Sequence, residues 1–134
     1  MRFDRQEYTF GKVSQAANLP LIKKLCDSFK DTEKTFSAFD FADETNTIFA
    51  ELKTRRNRKD AYPTTMVNLS KIQKIVEGNT YYFCFKFTDG LYYIKYDKTL
   101  FDTFEIKISG RNDRGVPEYE DYVFIPVDLL CPLQ

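Results

Sequence analysis

The sequence predicts an α/β fold with a mixed central β-sheet flanked by helices, and three observations support this class. Apolar residues recur at helical spacing in residues 12–29 and again in residues 64–77. Apolar and polar side chains alternate over residues 80–88, and an Asp-Gly turn then leads into a return strand at 91–96. Four further segments have the composition of strands, at residues 34–41, 47–55, 103–108 and 121–127.

The first helix is predicted from one apolar stripe at i, i+3, i+4 and i+7, formed by Ile22, Leu25, Cys26 and Phe29. Pro20 is unfavourable in a helix interior, because it has no backbone N–H and its ring clashes with the preceding turn. Two arrangements follow. Either the helix begins near Asn18 with Pro20 in its first turn, or a short turn from Ser14 precedes a kink.

The remaining elements have recognisable ends. The polar residues 42–46 suit a turn between the first two strands, and the second of these strands contains the apolar run 48–50, as expected for a central strand. Asn68 is a candidate N-cap for the second helix and Gly78 a candidate stop. Pro126 would place the last strand at a sheet edge.

Composition limits the function classes. The 134 residues suit one domain spanning 1–134, and 43% hydrophobic residues with 13 Phe and 9 Tyr predict a packed core. Twenty basic and twenty acidic residues cancel, so the overall charge indicates no partner. We find no membrane span, and no secretory signal in Met1–Phe10. Three widely spaced cysteines predict reduced thiols and an intracellular protein, in the host cytoplasm or nucleus or in a virion, and not a secreted one.

The sequence contains no histidine. This excludes a Ser-His-Asp or Cys-His nucleophile system, a histidine general base and His-ligated zinc. Any chemistry must therefore use carboxylates, lysine, tyrosine or a hard metal ion bound by oxygen.

One group of residues has the pattern of such a site. Glu51 and Lys53 are two apart on a predicted strand, so their side chains leave the same face, while Leu52 points the other way into the core. Asp40 ends the preceding predicted strand. If the two strands pair, Asp40 lies beside Glu51.

Two carboxylates on one face repel each other unless a cation lies between them. Asp40, Glu51 and the main-chain carbonyl of Leu52 could hold Mg²⁺, or Mn²⁺, together with waters. Such a metal lowers the pKa of a bound water and neutralises charge on phosphoryl oxygens. Lys53 could orient the attacking water or stabilise the pentavalent transition state. The simpler alternative is a same-face Glu-Lys ion pair, with Asp40 only starting a turn.

The segment that follows favours the metal site. Residues 53–74 contain seven basic residues and one acid, a local net charge of +6 in a neutral chain. Such a cluster suits phosphate contacts, and a helix beginning near Thr64–Asn68 would add a favourable dipole. The simpler alternative is a solvated basic loop. The predicted nucleic-acid-binding residues are Arg55, Arg56, Arg58, Lys59, Thr64, Thr65, Lys71 and Lys74.

Asp40, followed eleven residues later by Glu51-Leu52-Lys53 and then Arg55, resembles the signature of the PD-(D/E)XK, or restriction-endonuclease-like, nuclease superfamily. The resemblance covers roughly residues 10–96 and is greatest to small uncharacterised members from large DNA viruses or phages. It implies an αβββαβ core, here with extra C-terminal strands, and a metal-dependent nuclease that cuts DNA to leave 5′-phosphates.

Carried over by position, the resemblance implies that Asp40 and Glu51 are metal ligands and Lys53 is the catalytic lysine. The superfamily often has a glutamate on the first helix. Gln15 takes that place here, with Glu7 as another candidate, and Asp43 is the fallback if Asp40 is misaligned. Phe39 stands where the superfamily's proline would be, and that proline is commonly absent.

Two other functions stay open. Because a glutamine would weaken the charge of the site, the chain could be an inactive nuclease-fold protein that binds nucleic acid or serves as a viral structural protein. Alternatively, the tyrosines of residues 81–96 could stack bases or cover a dimer face. We favour a homodimer, since a symmetric pair reaches both strands of a duplex. The sequence does not distinguish DNA from RNA as the substrate, or endonuclease from exonuclease action. The polar loop 110–119, with Arg111 and Arg114, is a further candidate for contact with the substrate.

Overall fold

The computed structural model describes residues 5–32, 37–111 and 118–134. Its one long helix is α1 (Arg5–Ile22), and two single-turn helices, α2 (Leu69–Ile72) and α3 (Lys98–Phe101), follow among the described residues. The strands are β1 (Lys30–Asp31), β2 (Phe41–Ala42), β3 (Ile48–Thr54), β4 (Thr64–Asn68), β5 (Thr80–Phe87), β6 (Gly90–Lys95), β7 (Glu105–Arg111), β8 (Glu118–Pro126) and β9 (Cys131–Pro132).

The strands form two sheets. The larger has six strands in the order β1-β2-β3-β5-β6-β9, and the smaller has three in the order β4-β8-β7. Strands β3 and β5 are parallel, with Glu51 opposite Phe83, and the other pairs are antiparallel. The mixed central sheet and its flanking helix therefore confirm the predicted α/β fold class.

Side chains of β3 alternate between the two faces of the larger sheet, as strand geometry requires. On one face, Ala50 and Leu52 pack with Ile22 of α1, Phe41 of β2 and Cys84 of β5. Leu52 therefore points into the core, away from Glu51 and Lys53. This packing fixes the orientation of β3 and with it the face on which its charged residues emerge.

The other face of the larger sheet is covered mainly by the smaller sheet and the single-turn helices. Its core is strongly aromatic and includes Val67, Tyr81, Phe83, Phe85, Phe87, Phe101, Phe104, Val123 and Ile125. Burial of such large rings is strongly stabilising, because each removes a large apolar area from water. Glu51 is on this face, at the border of the aromatic core.

The first helix differs from its prediction at both ends. It begins at Arg5 and ends at Ile22, with Pro20 inside its last turn. After Ile22 the chain forms a tighter turn, in which Leu25 N donates to the Ile22 carbonyl three residues back. Phe29 is nevertheless buried, so the apolar stripe marked core residues correctly although part of it lies beyond the helix.

The second predicted helix, over 64–77, is wrong for its first five residues, which form β4. Their side chains alternate between the two faces, so that Thr65 and Val67 are buried, and the strand pairs with β8. The helix α2 begins only after Asn68, whose side chain accepts a hydrogen bond from Ser70 N. Asn68 is thus confirmed as the N-cap.

Two smaller expectations also change at the hairpins. The β5–β6 turn is formed by Thr88 and Asp89, because Phe87 pairs with Gly90. Strand β8 is the middle strand of its sheet, and Pro126 is tolerated because it is the last residue of the strand, opposite Thr64.

Among the described residues, no helix has both the length and the hydropathy needed to cross a bilayer.

Candidate metal and nuclease site

Asp40 and Glu51 lie side by side where β2 meets β3. Phe41 pairs with Ala50, so the residue before β2 comes next to the residue after Ala50. Asp40 N donates to Glu51 Oε1 at 3.1 Å. Asp40 and Glu51 are each 1% exposed, so both carboxyl groups are held in a pocket closed to bulk water.

The short length of β2 creates this arrangement. β2 begins only at Phe41, so among the described residues no strand pairs with this edge of β3 beyond Ala50, and the Asp40 carboxylate takes the place of a strand partner. Asp40 Oδ2 accepts a hydrogen bond from Leu52 N at 2.9 Å. The carbonyl of a strand residue points to the same side as its N–H, so the Leu52 carbonyl also faces this edge.

Helix α1 brings Gln15 to the same carboxylate. Gln15 Nε2 donates to Asp40 Oδ1 at 2.8 Å, and Gln15 is itself buried. One residue earlier, the hydroxyl groups of Ser14 and Thr54 are 2.5 Å apart, which ties the helix to the end of β3. Gln15 Oε1 is buried and has no hydrogen-bond partner among the described residues.

Two lysines approach Glu51. Lys53 Nζ lies 3.6 Å from Glu51 Oε2, and Lys71 Nζ lies 3.3 Å from the same oxygen. The first contact is the same-face pair that the sequence predicts. The second is unexpected, since Lys71 was predicted only as one of the nucleic-acid-binding residues of the basic segment.

Lys71 reaches the site from α2. Its ammonium group also donates to the Ala38 carbonyl and lies 5.6 Å from the Phe39 ring centre. No sequence spacing links Lys71 to Glu51, because the contact depends on β4 turning back before α2 begins. Asn68, the predicted N-cap, marks where α2 begins and so where Lys71 lies on that helix, but it does not indicate the contact with Glu51.

The charges at the site balance, with two carboxylates and two ammonium groups. Cys84 lies opposite Leu52 on β5, close enough to interact with both carboxylates. Burial raises the pKa of the Cys84 thiol, and the negative charges of Asp40 and Glu51 raise it further. Cys84 is therefore a protonated core residue and cannot act as a nucleophile.

The donor atoms at this edge are all oxygens: the Asp40 and Glu51 carboxylates, Gln15 Oε1 and the Leu52 carbonyl. Oxygen donors of this kind suit Mg²⁺ or Mn²⁺. Gln15 Oε1 in particular is a buried oxygen that a cation would satisfy. The described residues contain no group of three or more His, Cys, Asp or Glu side chains suited to a metal, and the site offers only two carboxylates.

Residues 15–133 match the family described as "Phage putative PDDEXK endonuclease". The chain belongs to this family. The match begins at Gln15 and includes Asp40, Glu51, Lys53 and Lys71. It confirms the resemblance to PD-(D/E)XK nucleases and the phage connection drawn from the sequence. No curated protein and no solved structure matches the chain significantly.

The predicted nucleic-acid-binding arginines of this family member have different surroundings. Arg55 is half-buried and donates to the Met66 carbonyl at 2.6 Å, so it joins β3 to β4. Arg56 is exposed, with its guanidinium 4.5 Å from the Phe10 ring centre. Arg58 is exposed near Asp60 and Asp89. Arg56 and Arg58 thus expose their side chains to solvent, whereas Arg55 acts within the fold.

The other predicted contacts divide in the same way. Lys59 is half-buried beside the Tyr92 ring, and Lys74 is exposed. Thr64 is half-buried, but Thr65 is only 7% exposed, which corrects its prediction as a phosphate contact. The predicted helix dipole is also wrong, because residues 64–68 form a strand and α2 has only four residues.

Asp43, the fallback ligand, is at the far end of β2. Its carboxylate accepts hydrogen bonds from Thr47 N at 2.9 Å and Ile48 N at 3.0 Å. It therefore contacts β3 four residues before Leu52, roughly 13 Å along the strand. Asp43 organises the β2–β3 turn and does not reach Glu51.

Three further predictions cannot be placed. The side chains of Glu7 and Arg111 lie outside the part of the chain that the structure describes, although both positions belong to described elements. Arg114 and the centre of the loop 110–119 also fall outside the described residues.

Proposed function

We propose that the chain is a divalent-metal-dependent nuclease that hydrolyses DNA phosphodiester bonds at the Asp40–Glu51 pocket. The single observation that carries this proposal is the convergence of Asp40, Glu51 and Gln15 on one strand edge, with Lys53 beside them. Membership of a nuclease family supports it.

Asp40, Glu51, Gln15 Oε1 and the Leu52 carbonyl would hold the cation. When bound, Mg²⁺ or Mn²⁺ lowers the pKa of a coordinated water and offsets negative charge on the phosphoryl oxygens. The backbone N–H of Leu52 and the Gln15 amide hold the Asp40 carboxylate in one orientation. The ligands are therefore already placed before any substrate arrives.

Lys53 would act on the substrate. Its side chain is 35% exposed, so the ammonium group lies between the buried Glu51 and solvent. From there it can donate a hydrogen bond to the attacking water or to a non-bridging phosphate oxygen. Attack of water on phosphorus would break the bond to the 3′-oxygen and leave a 5′-phosphate.

The exposed basic residues would hold the nucleic acid. Arg56, Arg58 and Lys74 carry positive charge on the surface of the segment that follows β3. Contacts of this kind to phosphates are independent of base sequence.

The test is cleavage of supercoiled plasmid and branched DNA with Mg²⁺ or Mn²⁺. Wild type is expected to cut, Glu51→Ala and Asp40→Ala to show no activity above background, and Lys53→Ala to be strongly impaired. Glu44→Ala removes an exposed acid from the β2–β3 turn and is the matched control, expected to cut like wild type. Equal cutting by wild type and Glu51→Ala would refute the catalytic role.

Gln15 motivates one alternative, a protein that binds nucleic acid without cutting it. The glutamine gives the site one negative charge fewer than a glutamate would, which lowers metal affinity. Salt-sensitive DNA binding by wild type, with no cleavage and no heat of metal binding, would favour this function over a nuclease.

A further inference from the structure

We propose that Lys71 is a second lysine of the active site, which neutralises Glu51 while the metal is absent and competes with the cation for that carboxylate. This inference rests on the proposed function, since it assumes that Asp40 and Glu51 hold a divalent cation.

The position of Lys71 is defined by three contacts. Its Nζ lies 3.3 Å from Glu51 Oε2, donates to the Ala38 carbonyl and is near the Phe39 ring. The side chain is only 15% exposed. An ammonium group so poorly solvated interacts with a neighbouring carboxylate far more strongly than a surface lysine does.

Lys71 differs in these respects from Lys53. Lys53 Nζ is 3.6 Å from Glu51 Oε2, makes the longer contact and is more exposed. We assign the contact with the substrate to Lys53 and the neutralisation of Glu51 to Lys71. Without metal, the two ammonium groups beside Glu51 balance the charge of the two carboxylates.

A divalent cation would change this balance. Added beside two carboxylates and two ammonium groups, it would leave the pocket with two surplus positive charges. Repulsion from the cation weakens the Lys71–Glu51 contact, and the lysine is then free to contact the phosphodiester. Metal and substrate would therefore bind cooperatively, with Lys71 passing from the carboxylate to the phosphate.

Calorimetry with Ca²⁺ alone tests the competition without turnover. Lys71→Gln is expected to bind Ca²⁺ about tenfold more tightly than wild type, since one competing charge is removed. Lys71→Arg keeps the charge and should bind like wild type. Lys74→Gln is the matched control, because it removes an exposed lysine three residues away, and it should also leave the affinity unchanged.

The results separate the two proposals. Wild type and Lys71→Gln binding Ca²⁺ equally, or the variant binding more weakly, would overturn the role of Lys71 and leave the nuclease proposal standing. No binding by wild type or by any variant would overturn both. Binding by Lys71→Gln alone would support the competition.

A second measurement uses only the wild-type protein and does not depend on the variant folding. Lysine Cε resonances followed during a Ca²⁺ titration should shift for Lys71 and Lys53, and stay in place for Lys74. A shift of Lys53 without one of Lys71 would contradict the proposal.

Discussion

Glu51 is a carboxylate that is almost completely removed from water, with 1% of its surface exposed. Burying an ionised group is costly unless neighbouring charges and hydrogen bonds compensate. Here the Asp40 N–H and the two lysines provide that compensation. Removing any one partner should therefore affect both the stability and the ligand affinity of the pocket.

Gln15→Glu tests how the pocket uses its charges. The substitution adds a third carboxylate and removes the amide that donates to Asp40. Ca²⁺ affinity should rise by roughly tenfold, because metal affinity follows the ligand charge. Without metal, the variant should be less stable by about 1–3 kcal/mol. Calorimetry and urea unfolding measure the two effects.

The control for this change is Asn18→Asp, one helical turn further along α1. Asn18 is buried and bonds to Ser14, and the structure gives it no contact with Asp40. It should lose stability without gaining metal affinity. A gain equal to that of Gln15→Glu would show that the effect is not specific to the pocket.

At the scale of elements, the turn between β2 and β3 keeps Asp40 and Glu51 in register. Asn46 has a positive φ of 55°, and Asp43 accepts hydrogen bonds from Thr45, Thr47 and Ile48. Burial alone would raise the pKa of Asp43, but these hydrogen bonds outweigh it and lower the pKa from 3.8 to about 2. The turn is therefore stabilised by an ionised aspartate.

Asp43→Asn should lower the free energy of unfolding at neutral pH by about 1 to 2 kcal/mol. Because the folded pKa of Asp43 lies below the unfolded value, its contribution is present above pH 3.8 and is lost as the pH falls toward about 2. The difference between wild type and variant in urea unfolding should shrink over that range. A difference that stays constant with pH would contradict this explanation.

The elements also show what the sequence could predict. The period-2 pattern and the Glu-x-Lys ending of β3 were sufficient to place Glu51, Leu52 and Lys53 on their correct faces. The proximity of Asp40 to Glu51 was predicted from a strand over residues 34–41, whereas β2 contains only Phe41–Ala42 and Asp40 lies just before it. Residues 64–68 were misassigned because the helical spacing that begins at Leu69 was extended back over them, whereas pairing with the distant β8 makes them a strand. The contact of Lys71 with Glu51 depends on that strand and could not be foreseen.

At the scale of the whole molecule, the neutral chain has a local net charge of +6 over residues 53–74, from the end of β3 to just beyond α2. The fold divides that segment. Arg55 bonds within the fold and Thr65 is buried, while Lys71 contacts Glu51 in the pocket. The side chains of Arg56, Arg58 and Lys74 are exposed to solvent. Nucleic-acid affinity should therefore depend on fewer residues than the sequence alone suggested.

Replacing Arg56, Arg58 and Lys74 together by glutamine should reduce DNA affinity and its salt dependence. Each lost phosphate contact makes the slope of log K against log salt shallower by about 0.9. Fluorescence anisotropy over a range of salt concentrations measures the slope. Glutamine at the exposed Lys95, Lys98 and Lys107, three cations outside the basic segment, is the matched control and should leave the slope unchanged.

The central claim is that Asp40 and Glu51 share one divalent cation, and anomalous scattering from crystals soaked in Mn²⁺ tests it most directly. We predict a single strong peak within bonding distance of both carboxylates, on the edge of β3 that carries the Leu52 carbonyl, and no peak in Glu51→Ala crystals. Wild-type crystals without a peak at this edge, or with manganese bound only elsewhere, would contradict the claim.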